Sequence, residues 1–216
     1  MKALIVGATG LVGRICLENL LRDDFYHNVE IWVRRTTGIK DPKLTEIIVD
    51  YTNLDNINSS GVNHVYCCLG TTIKKAGSQA EFRKVDYEYV LTVGRLAEKF
   101  NAEKFIVISS IGANPGSGNF YLRTKGEMEE DVKKLTIPAV YIVRPSFIMG
   151  EREEFRFGEK VGLFMIKGVN FLLSGKMRKY RGIKALTIAK AMISLARSGE
   201  QKKLVFESDK LQQLGK

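Results

Sequence analysis

Tyr121 and Lys125 stand a helical turn apart in Tyr121-Leu122-Arg123-Thr124-Lys125. On a helix that spacing brings both side chains onto one face. The face continues through Met128, Val132 and Leu135, so the lysine occupies an otherwise apolar stripe. An ammonium there is costly unless a neighbour uses it. The chemistry that uses it is carbonyl reduction: a phenol donates a proton to the developing alkoxide, and a nearby cation favours the phenolate. The same lysine can hold a ribose. A serine hydroxyl at a strand end can hydrogen-bond the substrate oxygen, and Ser109 and Ser110 both precede Tyr121 at a suitable distance along the chain. Either serine fits.

Such a pair needs a cofactor beside it. Lys2-Ala3-Leu4-Ile5-Val6 is a short apolar run that reads as a buried strand. It breaks into Gly7-Ala8-Thr9-Gly10-Leu11-Val12-Gly13, after which Leu11, Val12, Ile15, Leu17, Leu20 and Leu21 supply the apolar face of a helix. Strand, glycine turn and helix form the context of dinucleotide binding. Glycines let the backbone turn sharply and approach a pyrophosphate, which sits on the free N–H groups at the helix N-terminus. The second strand, Val29 to Val33, ends in Arg34-Arg35, where such folds reach the adenine ribose. An acidic residue there would repel a 2′-phosphate; two guanidinium forks attract one. NADP(H) is therefore expected over NAD.

A third strand over 46–49 runs into Asp50, which can accept from the adenine amino group or cap the following turn through Asn53 and Leu54. The fourth strand, 62–69, closes in Gly70-Thr71-Thr72. Its glycine would let the backbone pass close to the cofactor, with the threonines donating to ribose or phosphate. His64 within it has no metal partner nearby and reads as a hydrogen-bonded structural histidine. Residues 74–100 read as mostly one long helix whose stripe of Phe82, Val85, Tyr89, Val93 and Leu96 is core. Lys104 to Ile108 is the fifth strand, ending at Ser109-Ser110. Strands alternating with helices predict an α/β fold with a doubly wound parallel sheet of Rossmann type. The whole of 1–216 is expected to be a single domain.

The last third carries small substrate-side elements. Apolar residues from Val161 to Leu172 suggest a helix leading into the basic run Lys176, Arg178, Lys179, Arg181 and Lys184. Residues 151–182 are expected to form a lid over the substrate. The basic run could otherwise touch an anionic membrane or a protein partner, or be the solvated end of a packing helix. Ala185 to Leu195 forms a last helix, Lys203 to Glu207 a last strand, and the polar tail from Ser208 a short terminal segment.

Composition sets the outer bounds. At 216 residues, with 44% apolar and 27% charged, the chain is that of a globular protein with a sizeable core. Three cysteines, two of them adjacent (Cys67, Cys68), make neither a disulfide framework nor a metal site. They suit apolar filling in a reducing compartment. A first strand beginning at residue 2 and the lack of a membrane-length apolar run point to a cytoplasmic protein without stable membrane insertion. The net charge of +10 comes without a recognition helix or stacking-aromatic motif, so nucleic acid is not an expected partner.

Together these features resemble an atypical short-chain dehydrogenase/reductase, whose extended and atypical branches carry the G-x-x-G-x-x-G turn. Within them the chain resembles the Tat-interacting-protein/oxidoreductase branch, through Cys67-Cys68-Leu69-Gly70-Thr71-Thr72, Val85-Asp86-Tyr87 and Tyr121-Leu122-x-x-Lys125-Gly126-Glu127. The resemblance implies an NADP-type cofactor gripped by Gly7, Ala8, Thr9, Gly10, Leu11, Val12 and Gly13, by Arg34 and Arg35, by Cys68, Leu69, Gly70 and Thr71, and by Tyr121 and Lys125. It also implies that Val143-Arg144-Pro145-Ser146 ends the sixth strand beside the nicotinamide, that Ile148 lines the site, and that Arg156 is a cofactor-side arginine. The fourth strand departs from the superfamily's Asn-Asn-Ala-Gly, and the relay asparagine of that pattern is absent. The expected activity is oxidoreduction of a small carbonyl or alcohol, with Tyr121 as acid/base, Lys125 assisting it, and Ser110 or Ser109 orienting the substrate oxygen. The competing reading is a non-catalytic NADP(H)-sensing protein that presents a surface to a partner.

Overall fold

The computed structural model describes residues 1–54, 57–149 and 175–216. Branched apolar runs form β1 (Lys2–Val6), β2 (Asn28–Val33), β3 (Leu44–Ile48), β4 (His64–Cys67), β5 (Lys104–Ile108) and β6 (Ala139–Arg144). A small separate pair, β7 (Ile148–Met149) and β8 (Ile183–Lys184), precedes β9 (Lys203–Glu207). The main sheet has seven strands in the order β3-β2-β1-β4-β5-β6-β9, every neighbouring pair parallel. Helices cover both faces, which is why its central strands are apolar throughout rather than alternating. Val12, Leu17 and Leu20 of α1 (Leu11–Leu21) pack with Ile188 and Met192 of a late helix over Ala3, Ile5 and Ile31. On the opposite face Val90, Val93, Met128 and Val132 cover Leu4, Val6 and Phe105.

The strand order reverses between β1 and β4, and ligands of such sheets bind outside the strand ends at that reversal. Val6 pairs with Cys67 in register, so the chain leaves both strands side by side there.

The expected long helix over 74–100 is instead four pieces: α2 (Ile73–Ala76), α3 (Gln79–Arg83), a π-helical turn (Lys84–Glu88) and α4 (Tyr89–Lys99). Gly77 ends α2 in the left-handed region at φ +83°, and Ser78 restarts the helix by accepting from the Glu81 N–H at 3.1 Å. The Phe82-to-Leu96 stripe still faces the core at Phe82, Val93 and Leu96. The fourth strand spans only His64–Cys67 of the expected 62–69. After α5 (Phe120–Val132) and α6 (Ala185–Arg197), the tail from Ser208 forms a further helix, α7 (Ser208–Leu214), rather than a loose segment. Leu211 is buried and Leu214 packs against the same core, and Gly215 lies so close that an added Cβ would come 2.1 Å from the Thr187 carbonyl oxygen. Two leucines, Leu211 and Leu214, in an otherwise polar stretch leave little periodicity to read.

His64 is the structural histidine expected. Its Nδ1 lies 2.6 Å from the Tyr26 hydroxyl, which also meets Tyr66 at 2.8 Å. Burial, aided by the Lys104 charge, pushes its pKa down to about 4. Among the described residues no helix is long and apolar enough to cross a membrane, and no cluster of His, Cys, Asp and Glu could hold a metal ion.

Candidate active site

The glycine turn is shaped by close backbone contacts. Gly7 sits at φ +85°, and an added Cβ would lie 2.6 Å from the Cys68 carbonyl oxygen; at Gly13 it would lie 2.2 Å from that of Gly7. The first contact presses the turn against the end of β4, and the second seats the first turn of α1 on the strand exit. Gly10 caps α1 without a side chain, and no acidic residue stands in the first turn. Nothing negative there competes with a bound phosphate for the helix N–H groups. The turn thus has the cradle a dinucleotide requires.

At the end of β2, Arg34 and Arg35 are exposed. Asp50 accepts from the Thr52 N–H at 2.9 Å and from its hydroxyl at 2.7 Å. Those hydrogen bonds hold its carboxyl below the usual range; the side chain caps the turn at Thr52, and the Asn53 N–H closes it on the Asp50 carbonyl at 3.0 Å.

Apart from Cys68, which packs against the core, and Arg156, the remaining candidates converge at the C-terminal ends of β4, β5 and β6. One cavity is lined by Leu69, Gly70, Thr71, Ser109, Ser110, Tyr121, Lys125 and Ile148, together with Asp86, Ile108, Pro145 and Ser146. α5 reaches it because Asn119 caps the helix, accepting from the Leu122 N–H at 3.2 Å. Gly126 lets the helix backbone lie on the loop after β5; a Cβ there would stand 2.2 Å from Pro115 N. The Tyr121 ring packs on Phe82 of α3 with centroids 5.4 Å apart.

Lys125 is buried as the apolar stripe implied, and its partner is Asp86: Nζ lies 2.8 Å from Asp86 Oδ1, with 3% and 1% of the side chains exposed. Nζ also donates to the Ile108 carbonyl at 3.4 Å. Burial works to lower the Lys125 pKa, but the charge of Asp86, the proximity of Tyr121 and the hydrogen bond outweigh it and leave it raised. The ammonium therefore stays charged. Asp86 Oδ2 accepts from the Thr71 N–H at 2.7 Å.

Asp86 is the site residue that sequence reasoning missed as a participant. The signal existed: four residues after Phe82 and four before Val90, it puts a carboxylate on an apolar stripe, as Lys125 puts an ammonium on another.

The adjacent serines differ. Ser109 donates to Glu129 Oε1 at 2.5 Å, and Glu129 also receives Arg144 Nε at 2.8 Å. Ser110 donates to the Ile111 carbonyl at 3.2 Å. Ser146, at the end of β6, meets Ser208 at 3.0 Å and donates to the Arg181 carbonyl. In the basic run, Lys179 pairs with Glu207 at 2.9 Å. Arg156 and most of the expected lid over 151–182 lie outside the described residues.

The sequence matches the NAD(P)H-binding family over residues 7–162, from the glycine turn past Tyr121 and Lys125. The chain belongs to that family. Protein FMP52, mitochondrial, of Debaryomyces hansenii is 32% identical over 157 residues, covering 71% of this chain and 70% of that protein. Protein HTATIP2 of Rattus norvegicus is 29% identical over 221 residues, covering all of this chain and 89% of its own length. Both agree with the atypical short-chain dehydrogenase/reductase resemblance. Among solved structures, MoeE5 in complex with UDP-glucose and NAD superposes with a TM-score of 0.68 at 14% identity, over 95% of this chain and 75% of that one. A UDP-N-acetylglucosamine 4-epimerase from Methanobrevibacter ruminantium M1 gives 0.67 at 16% identity, over 95% and 76%. At such identities the likeness is one of fold: a Rossmann-type single parallel sheet.

Proposed function

We propose that this chain is an NADP(H)-dependent oxidoreductase that interconverts a small carbonyl compound and its alcohol. The observation that carries the reading is the meeting of Tyr121, Lys125 and Ser110 in one cavity at the strand ends beside the glycine turn. The turn and the N-terminus of α1 would hold the pyrophosphate, and Arg34 and Arg35 the 2′-phosphate, which favours NADP(H) over NAD. Bound there, the cofactor supplies hydride chemistry.

In the reductive direction the Tyr121 hydroxyl gives its proton to the carbonyl oxygen as negative charge develops on it. Lys125 stabilises the phenolate left behind and offers a further N–H to the nicotinamide ribose. Ser110 donates to the same substrate oxygen and orients it. Ser109, already committed to Glu129, serves the frame instead. The Ile108, Pro145 and Ile148 side chains line the cavity with apolar surface, which limits water near the reacting carbon and strengthens the polar contacts within. Against the cytoplasmic expectation, the FMP52 relatives carry the word mitochondrial in their names.

The test is turnover of a panel of aldehydes, ketones and quinones with NADPH, using Tyr121→Phe as control. Turnover that falls by at least about a hundredfold in the variant supports the assignment; turnover left intact rejects it. NADPH binding without turnover of any of these carbonyl classes would favour the cofactor-sensing alternative.

A further inference from the structure

Building on the oxidoreductase reading, we propose that Asp86 is a positioning residue that grips the Lys125 ammonium and the Thr71 N–H together, fixing the acid/base helix against the cofactor-side loop. The two donors come from different elements, α5 and the loop after β4, and each takes its own carboxylate oxygen, at 2.8 and 2.7 Å. Each donor therefore has a carboxylate oxygen to itself. The charged and titratable groups that act on Lys125 are Asp86 from the π-helical turn, Tyr121 from its own helix and Cys67 from β4. Asp86 is the carboxylate among them, and burial pushes the Cys67 thiol up to about 12, which keeps it neutral.

The backbone around Asp86 fits this role. π-helical turns are uncommon and recur at functional sites, and this one interrupts an otherwise α-helical course between α3 and α4. Arg83 just before the turn pairs with Glu127 of α5, and Tyr87 within it donates to Asp131 of the same helix. With Asp86–Lys125, three polar contacts join this segment to α5, so the carboxylate is held in place from outside the site. Gly70 brings the loop in close: an added Cβ would lie 3.4 Å from Asp86 Oδ1. A spacing fixed in this way aligns Tyr121 and Lys125 with whatever the loop holds.

The experiment is a double-mutant cycle on NADPH binding, read by the affinity and by the emission of the bound nicotinamide, with Asp86→Asn, Lys125→Met and the double variant. Asparagine keeps the shape but offers one acceptor where two donors point. The expected result is about a tenfold loss of affinity in Asp86→Asn, and a double variant that binds no more weakly than Lys125→Met alone. The emission of NADPH bound to Asp86→Asn should match that in Lys125→Met and differ from wild type. A purely structural role would lower the melting temperature and leave that emission at its wild-type value, which would overturn the proposal, as would additive losses. If Asp86→Asn does not fold, the double variant, which buries no unpaired charge, still decides: weaker binding than Lys125→Met alone overturns the inference, and equal binding supports it. Failure of the wild-type chain to bind NADPH would instead remove the oxidoreductase reading on which the inference rests.

Discussion

The Ser109 hydroxyl donates to Glu129 Oε1 at 2.5 Å, and Arg144 clamps the same carboxylate. On the proposed reading, that arrangement commits Ser109 to the frame and leaves Ser110 to meet the substrate. Ser109→Ala leaves a buried carboxylate one donor short, so it should cost about 1–3 kcal/mol of stability in chemical denaturation while sparing most of the turnover. Ser110→Ala should do the reverse, lowering kcat/KM with little change in stability. Equal losses of activity in the two variants would defeat the division.

Gly126 lets α5 lie against the loop that follows β5. Gly126→Ala places a Cβ 2.2 Å from Pro115 N, a contact with backbone that cannot rotate away. Overpacking of this kind costs about 1–3 kcal/mol or more, and thermal unfolding should register it. Because α5 also carries Tyr121 and Lys125, NADPH affinity should fall with stability. A variant as stable as wild type would show that α5 does not need this approach.

Arg34 and Arg35 predict the choice of cofactor. Replacing both with serine should weaken NADPH binding by at least about tenfold and leave NADH binding nearly unchanged, as measured by calorimetric titration. The salt dependence of NADPH binding should fall in parallel. Equal losses for both dinucleotides would mean the arginines do not read the 2′-phosphate.

His64 makes stability depend on pH. Its folded pKa is depressed to about 4 from 6.5, so below about pH 6.5 the unfolded chain binds a proton that the native chain refuses. The contribution is complete above that pH and is lost as pH falls toward 4, amounting to at most about 3 kcal/mol. Denaturation midpoints between pH 6.5 and 5 should decline in the wild type and decline less in His64→Gln. The carboxylates held low by hydrogen bonds, Glu46, Glu98, Asp50 and Asp131, lose their contribution only at lower pH.

The parts of the molecule that were legible in the sequence are those where one residue type has one physical use. A glycine turn between an apolar strand and an apolar helix has few other readings, and a lysine on an apolar stripe announces a buried partner. The partner itself was harder to see. Asp86 stands at helical spacing from Phe82 and Val90, but its contacts with Lys125 of α5 and with the Thr71 N–H after β4 join segments far apart in the chain. The break at Gly77 and Ser78 was hidden by apolar residues that keep helical spacing on both sides of it. Helix α7 was hidden because its stability comes from packing on α6 rather than from its own composition. The two serines could not be told apart in one dimension, since Glu129 and Arg144, which separate them, come from α5 and β6.

The account turns on Tyr121 as the group that moves the proton. The most direct measurement is a single-turnover reaction with NADPH deuterated at the transferring position and a carbonyl the wild-type chain reduces, with Tyr121→Phe run alongside at saturating cofactor. The prediction is deuterium on the former carbonyl carbon of the wild-type product, and a rate lower by at least about a hundredfold in the variant, with NADPH still bound. Deuterium delivered at the wild-type rate by Tyr121→Phe would contradict the account.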